Sequence, residues 1–588
     1  MTADVTDVTD VTTDTTTDTT TDKTADDAGA GSTSGRPALR VPSGDVPTPG
    51  GARPRSAPDA GLDAVVAHLA ALLPDGRTGP GPDVVAAGGA DLASVRVHGV
   101  TLSSQQVLPG DLYAALPGLR AHGADYAAAA AAAGAVAVLT DPAGRDRAAA
   151  TGLPVLVVDA PRAVLGDLAA WLYGTAGRPP AVLGVTGTNG KTTTTFLLDA
   201  ALRAAGATTG LVGTIEIRSA DRRLRATGTT PEAPALHALL AVMHEDGVTT
   251  CAMEVSSHAL AQHRVDGLVV DVAGFTNLSQ DHLDYHRTME EYFAAKALLL
   301  TPAHARRGVV VVDDAWGRRM AAGSQVPVVT VTTRPDVDAD WTVVGRTLDA
   351  GLVTAHVTGP DGADLHVRCP LPGDFNVANT LLALVMLVEA GHEPAAAAAA
   401  LGAAGPVPGR MEKVPGTGTP GEPVVVVDYA HTPDAVAAAL DALRDAGHPL
   451  VVVLGAGGDR DRDKRPLMGA AAARAADVVV VTDDNPRSEE PAAIRAALLA
   501  GARDAVAGAG HDVEVLEVDR RRAAIAEGVA RAWGGGVLLV AGKGHEQGQD
   551  VAGVVHPFDD RAVAREVLLA ASLAPGAATA PAAGRTGA

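Results

Sequence analysis

The chain has 588 residues, 47% of them hydrophobic, and a formal net charge of -22. That length and apolar content build three or four compact units with cores of their own, while the acidic balance and the lack of a lysine or arginine stripe argue against nucleic acid, whose phosphates select basic surfaces. Cys251 and Cys369 are the only cysteines, which argues against a disulfide framework or a cysteine-based zinc site and fits a reducing, cytoplasmic compartment.

Residues 1–58 repeat an Asp-Val-Thr theme and then run through Gly, Ser and Pro without apolar periodicity. They cannot bury enough surface to offset the entropy of ordering and read as a disordered tail. The start carries neither a basic region nor an apolar segment, and the longest apolar stretch, 127–139, is alanine-rich and too short for a bilayer, so neither export nor membrane insertion is expected. A helix over 62–73 and a strand over 95–102 open the first folded unit, and strands over 135–139 and 155–158 with a helix over 163–173 complete it. Gly177-Arg178-Pro179-Pro180 reads as a linker and places a domain boundary near 179.

The stretch AVLGVTGTNGKTTTTF, residues 181–196, follows at once. Val182, Leu183 and Val185 read as a buried strand, 187–190 as a tight glycine loop, and Lys191 onward as a helix with Phe196, Leu197, Ala200, Ala201 and Ala204 on one face, ending at Gly206. Glycines let backbone amides approach an anion, and the helix N-terminus favours the same negative charge. Lys191 then meets the terminal phosphates and the Thr192 hydroxyl is placed for magnesium. Gly184 and Gly190 enclose one residue more than the usual phosphate-loop spacing, and an ordinary glycine turn is the bland alternative.

Strands over 309–312 and 328–331 continue this unit, and the Ala, Gly and Pro of 396–409 read as the next hinge. Apolar runs at 424–427, 450–454, 478–481, 513–518 and 537–540 then alternate with helical stretches, which implies a parallel sheet. Ligands bind such sheets at the carboxyl ends of the strands, where Asp428-Tyr429-Ala430-His431, Gly457-Gly458-Asp459-Arg460 and Asp484-Asn485-Pro486-Arg487 fall. The last of these is equally compatible with a plain turn. Glu254-Val255-Ser256-Ser257-His258 and the polar run 277–286 are dense enough in carboxylate and imidazole to suit magnesium beside Lys191; alternatively Glu254 caps a neighbouring segment and His282 is a satisfied loop residue.

Taken together, GTNGKTT, TTPE, EVSSHALAQHRV, TNLSQDHLDYH, the lysine of YFAAK, GDFNVANT, GRME, DYAHTPD, GGDRDRDKRP, DNPR and GKGHE come in an order that resembles the Mur ligases over about residues 60–570, in particular the branch that adds the third peptide residue in peptidoglycan synthesis. The resemblance implies an α/β protein of three domains: an N-terminal UDP-substrate domain (59–178), a central phosphate-loop ATPase domain with a mostly parallel sheet (179–405) and a C-terminal Rossmann-like domain for the incoming amino acid (406–571), with tails at 1–58 and 572–588. It implies ATP and Mg2+, and a monomer acting on UDP-N-acetylmuramoyl-dipeptide and meso-diaminopimelate. The ATP site is similar to Gly187, Thr188, Asn189, Gly190, Lys191, Thr192 and Thr193, with Asn376, Asn379 and Arg410. Lys191, Glu254, His282 and Lys296 match the catalytic set, Thr192, Glu254, His282 and Lys296 the metal set, with Lys296 as its carbamate; read alone, Lys296 is a solvated helix lysine.

For the nucleotide-sugar peptide the resemblance points to Leu102, Ser104, Leu119, Arg120, Ala121, Thr229, Thr230, Ser256, Gln262 and Arg264. The family usually has Asp-Ser-Arg where this chain reads Ser103-Ser104-Gln105, so two charges are absent. For the amino acid it points to Arg460, Asp484, Asn485, Pro486, Arg487, Gly542 and Glu546, and the DNPR form is similar to the diaminopimelate-adding branch. A lysine-adding or other Mur-like amide ligase is the alternative within the family. A regulator that keeps the phosphate cradle without catalysis is the alternative outside it.

Overall fold

The computed structural model describes residues 52–73, 83–85, 91–118, 120–178, 180–226, 228–349, 352–444, 448–508 and 512–573. The tail readings for 1–51 and 574–588 and the reading of Leu119 fall outside them. Three sheets organise the described residues. The first has five strands in the order Asp83–Val85, Val155–Val157, Ala137–Thr140, Asp111–Ala115, Gly99–Thr101, parallel except for the first. The expected strand over 95–102 breaks at His98. Arg96–Val97 pairs with Ala60–Gly61 in a separate ribbon, whereas Gly99–Thr101 joins the sheet. The helix expected from 163 starts at Pro161, whose fixed φ and missing N–H suit the first helical turn.

The central sheet has eleven strands. Its run from Thr209–Val212 through Thr250–Glu254, Ala181–Thr186, Val272–Phe275, Gly308–Val311 and Val328–Thr332 to Trp341–Asp349 is parallel, and antiparallel strands finish both edges. Strand Ala181–Thr186 sits inside this run and is buried on both faces, as its unbroken apolar sequence requires. Val182 packs with Leu236, Met243 and Met253 on one side, while Leu183 and Val185 pack with Leu197, Leu198 and Leu381 on the other. Helix Lys191–Ala204 therefore packs on the sheet beside helix Asp374–Glu389. Its buried face is turned from the expected one: Leu198 and Leu202 are inside and Ala204 is exposed, because a second helix covers it as well as the sheet.

The third sheet runs Glu412–Lys413, Val424–Asp428, Val537–Ala541, Leu450–Leu454, Val478–Val481, Glu514–Glu517, parallel except at the first strand. The hinge reading of 396–409 needs correction, since Pro394–Gly402 is a helix. Alanine is the best helix former, Pro stands at the first turn, and the Glu393 carboxylate accepts from the amides of Ala395 and Ala396. The tail reading also reaches too far. Ala52 is buried against the central core. Arg53 bonds the Asp111 carboxylate at 2.7 Å and the Tyr173 hydroxyl at 3.0 Å, and the amides of Arg55 and Ser56 donate to Glu245 at 2.7 and 2.8 Å. A segment of low apolar content is fixed here by ion pairs and backbone donors. Among the described residues no helix is long and apolar enough to cross a membrane.

Candidate active site

Strand Ala181–Thr186 delivers the chain into a loop whose shape only glycine allows. Gly187 has φ +144°, and a Cβ there would lie 1.8 Å from Thr276 Oγ1; Gly190 has φ +91°, and its Cβ would meet Asn379 Oδ1 at 2.2 Å. The loop is braced from the next strand's end. Thr276 Oγ1 donates to the Asn189 carbonyl at 2.6 Å, Asn277 Oδ1 accepts from the Asn189 amide at 3.0 Å, and the Thr188 amide donates to the Asn277 carbonyl at 2.9 Å. Lys191 Nζ donates to the carbonyls of Gly187 and Thr188, both at 2.9 Å. Desolvation holds this amine below the usual lysine value, and Arg410 adds to the effect against Glu254 and Asp281.

Glu254, at the end of the neighbouring strand, is 1% exposed. Its Oε2 accepts from Thr192 Oγ1 at 3.0 Å and Thr214 Oγ1 at 3.2 Å, and its Oε1 from the Thr214 amide at 2.8 Å. Arg410 reaches in from the third domain's side, donating to Thr192 Oγ1 at 3.1 Å with its guanidinium 4.5 Å over the Tyr429 ring. His282 has φ +55° and caps helix Leu283–His286. Burial pushes its imidazole down to about 3, so the ring is neutral at neutral pH. Lys296, on helix Met289–Ala297, is 1% exposed, donates to the Gly187 carbonyl at 2.7 Å and lies 4.3 Å from the Tyr292 ring centroid. Burial, with Lys191 adding to it, holds its amine well below the usual lysine value. The solvated-lysine reading of Lys296 is thereby corrected: the residue sits behind the phosphate loop.

A cavity of about 480 Å³ opens in front of this loop and is walled by both the central and the C-terminal domain. From the central side come Thr188 to Thr192, Thr229, Thr230, Glu254, Ser256, Arg264 and His282; from the other come Arg410, Arg460, Asp484, Asn485, Arg487, Gly542 and Glu546. Around the substrate-side groups, Thr230 Oγ1 donates to the Glu254 carbonyl at 2.9 Å and accepts from the Ser256 amide at 3.1 Å. Arg264 bonds Gln262 Oε1 at 2.7 Å and pairs with Glu232 at 2.9 Å, and Glu232 also pairs with Arg162 of the first domain at 2.9 Å. Thr193, Asn376 and Asn379 are buried behind the loop, where Asn379 Nδ2 donates to Asn376 Oδ1 at 3.0 Å and Asn376 Nδ2 to the Pro372 carbonyl at 2.7 Å. Leu102, Ser104, Arg120 and Ala121 lie on the first domain and do not line the cavity.

On the far wall the DNPR loop follows strand Val478–Val481. Arg487 has φ +51°; its amide donates to the Asp550 carbonyl at 3.0 Å, its carbonyl accepts from Ala552 at 2.7 Å, and Nη1 donates to the Gly458 carbonyl at 2.5 Å. Pro486 closes against the same glycine, where a Cβ on Gly458 would stand 1.9 Å from the Pro486 carbonyl oxygen. Gly542, with φ +113°, leaves room for Asp484 Oδ2, which a Cβ would meet at 2.4 Å. The loop is thus pinned on two sides at the rim of the cavity.

Three family models match this chain: the Mur ligase family catalytic domain over 96–173, the Mur ligase middle domain over 185–387 and the Mur ligase glutamate ligase domain over 409–544. It is 55% identical to a UDP-N-acetylmuramoyl-L-alanyl-D-glutamate–2,6-diaminopimelate ligase of Streptomyces avermitilis, over 80% of this chain and 92% of that one. The chain belongs to the Mur ligases. A UDP-N-acetylmuramyl-tripeptide synthetase of Leifsonia xyli is 50% identical over 81% of this Mur ligase and 93% of the relative. A solved UDP-N-acetylmuramoyl-L-alanyl-D-glutamate–2,6-diaminopimelate ligase superposes with TM-score 0.57 at 32% identity, covering 82% and 96% of the two chains. The MurF ligase of Thermotoga maritima in complex with ADP shares the three-domain fold at TM-score 0.54 and 20% identity, over 80% and 96%.

Several groups of this Mur ligase site were not singled out from sequence. Asp281, 5% exposed, stands 3.4 Å from His282 Nε2, 3.5 Å from Lys464 Nζ and 3.8 Å from His431 Nε2, the last two from the C-terminal domain. Burial works to raise its carboxyl, yet His431, His282 and Lys464 together hold it well below the usual range. Arg521, fully buried, bonds both oxygens of Asp560 at 2.6 and 2.7 Å and the Ala541 carbonyl at 2.9 Å, with Asp484 4.0 Å away. Asp281, His431 and Lys464 all lie inside quoted motifs, so the polar density was a signal; Arg521 lies on a helix of ordinary composition and offered none.

Proposed function

We propose that this Mur ligase uses ATP to join meso-diaminopimelate to UDP-N-acetylmuramoyl-L-alanyl-D-glutamate. The observation that carries the reading is that the phosphate loop and the DNPR loop face one cavity, so a phosphoryl donor, a carboxylate and an amine can meet there. A carboxylate oxygen of the nucleotide substrate attacks the γ-phosphorus and ADP leaves, giving an acyl phosphate. The amine nitrogen then attacks the acyl carbon, loses a proton, and inorganic phosphate departs. Lys191 and the amides of 190–192 stabilise charge on the transferring phosphoryl group by position rather than by covalent chemistry. Arg264 pairs with an anionic group of the nucleotide substrate, and Arg460 and Arg487 hold the carboxylates of the amino acid.

The donor set fits magnesium. Glu254 and Thr192 offer hard oxygens side by side, and among the described residues there is no cluster of three or more His, Cys, Asp or Glu of the kind a protein-only metal cage needs; magnesium takes one or two protein oxygens and completes its shell with phosphates and water. Bound there, the ion supplies charge neutralisation at the phosphates. We assign Lys296 as a carbamate: a neutral amine is what reacts with carbon dioxide, and its surroundings favour that form. The deciding measurement is phosphate release by the purified chain with ATP and the nucleotide dipeptide, comparing meso-diaminopimelate with L-lysine. Turnover with lysine at equal or higher kcat/KM assigns it to the lysine-adding alternative, and no amino-acid-dependent phosphate release removes the ligase reading.

A further inference from the structure

The lysine of the GKGHE stretch is fully buried and lies outside the residues that line the cavity. Lys543 Nζ donates to Asn485 Oδ1 at 3.1 Å, to Glu546 Oε2 at 3.1 Å and to the Gly548 carbonyl at 2.6 Å, which occupies all three N–H donors of an ammonium. Asn485 Nδ2 donates to the same Glu546 Oε2 at 2.7 Å, and Asn485 Oδ1 also accepts from the Asp550 amide at 2.9 Å. Two donors therefore converge on one oxygen of Glu546. The other, Oε1, makes no hydrogen bond among the described residues, and Glu546 borders the cavity with its side chain 31% exposed.

Resting on the diamino-acid reading above, we propose that Lys543 is a positioning residue for amino-acid selection: it pins Glu546 through Oε2 so that Oε1 stands ready to accept from the distal ammonium of the substrate. Asn485 belongs to the same clamp, its oxygen and one amide hydrogen being spent on Lys543, Asp550 and Glu546 rather than on the substrate. A free glutamate samples several rotamers and must be ordered at the moment of binding, whereas a clamped one meets the ammonium already oriented. Misplacing such an acceptor by about 1 Å costs on the order of a hundredfold.

Lys543→Met tests this in the full chain. The expected result is a KM for meso-diaminopimelate raised about ten- to a hundredfold, with KM for ATP and nucleotide dipeptide unchanged. Acyl-phosphate formation without amino acid, trapped as the hydroxamate, keeps its wild-type rate. In a cycle with Glu546→Gln the two effects on diaminopimelate KM are non-additive, because Lys543 acts through Glu546. A diaminopimelate KM within twofold of wild type overturns the proposal, as do additive effects or a matching loss of acyl-phosphate formation. Should Lys543→Met fail to fold, Lys543→Gln in the same cycle carries the same expectation and the same refuting results. If wild type itself does not ligate diaminopimelate, it is the proposed function that has failed, not the clamp.

Discussion

Arg53 is the residue whose loss should reveal how the chain ahead of the first sheet holds it. Its partner Asp111 has a side chain 2% exposed, and among the described residues its carboxylate receives one further bond, from the Leu108 amide at 2.9 Å. Arg53→Met removes the cation and leaves the carboxylate buried, a loss of about 3–5 kcal/mol for a broken buried pair. Burial already pushes the Asp111 carboxyl up, and Arg53 is the main group opposing that. Without Arg53 its folded pKa moves further above the unfolded value, so the penalty is small at low pH, where the group is protonated in both states, grows as pH rises from the unfolded towards the folded pKa, and is complete above it. Urea unfolding followed by tryptophan fluorescence at pH 5 and pH 8 should show the larger loss at pH 8, and Arg53→Met with Asp111→Asn should recover at least half of it. A chain beginning at residue 59, which also lacks the Arg55 and Ser56 amides on Glu245, should be less stable than one beginning at residue 46. A single variant within about 0.5 kcal/mol of wild type at pH 8, the range of an ordinary surface change, would refute the reasoning.

Lys296→Ala should be inactive and regain part of its turnover in the presence of small carboxylic acids; wild-type activity without them removes the lysine from the mechanism, and inactivity that no acid restores keeps the lysine essential but leaves its carbamate unproven. His237 is fully buried between Thr175 Oγ1, 2.7 Å from Nδ1, and the Asp266 carbonyl, 3.0 Å from Nε2, and burial pushes its pKa from 6.5 down to about 4. Its folded pKa is depressed, so the stability it brings is present above pH 6.5 and is lost as pH falls towards 4, by about 3 kcal/mol in all; chemical denaturation of wild type and His237→Gln across that window checks this, and parallel pH curves contradict it. Arg487→Ala should lower kcat/KM for meso-diaminopimelate by about 2–5 kcal/mol in transition-state terms and narrow its preference over L-lysine; selectivity equal to wild type would take the specificity role away from this arginine.

What could be read from the sequence follows the range of the interactions concerned. The apolar runs at 182–185, 424–427 and 450–454 announce buried parallel strands because both faces of those strands are covered. The phosphate loop is equally legible, since its glycines, Lys191 and Thr192 act within one turn of chain. The Arg53 clasp was read as tail because its worth lies in Asp111 and Tyr173, 58 and 120 residues away, and no local pattern reports that. The same holds for Asp281, whose partner Lys464 is 183 positions along the chain. The alanine run at 394–402 misled through composition: Ala, Gly and Pro together suggest a hinge, whereas the order Glu393, Pro394, then alanines is a helix start. Lys543 stood in a quoted motif, but only its burial separates an internal clamp from a substrate contact.

The crowding around Gly187 and Gly190 bears on how this site can change under selection. A methyl group at either position would collide with Thr276 or Asn379, and the loop's carbonyls are already engaged by Lys191, Thr276 and Lys296. An inhibitor that anchors on the backbone amides of 190–192 would therefore meet a backbone whose two glycines cannot be exchanged to evade it. Escape would have to arise elsewhere, at positions on the opposite wall. Compounds confined to the loop side of the cavity should raise resistant variants less often than those that lean on the amino-acid side, and serial passage under each kind of compound would show which wall mutates.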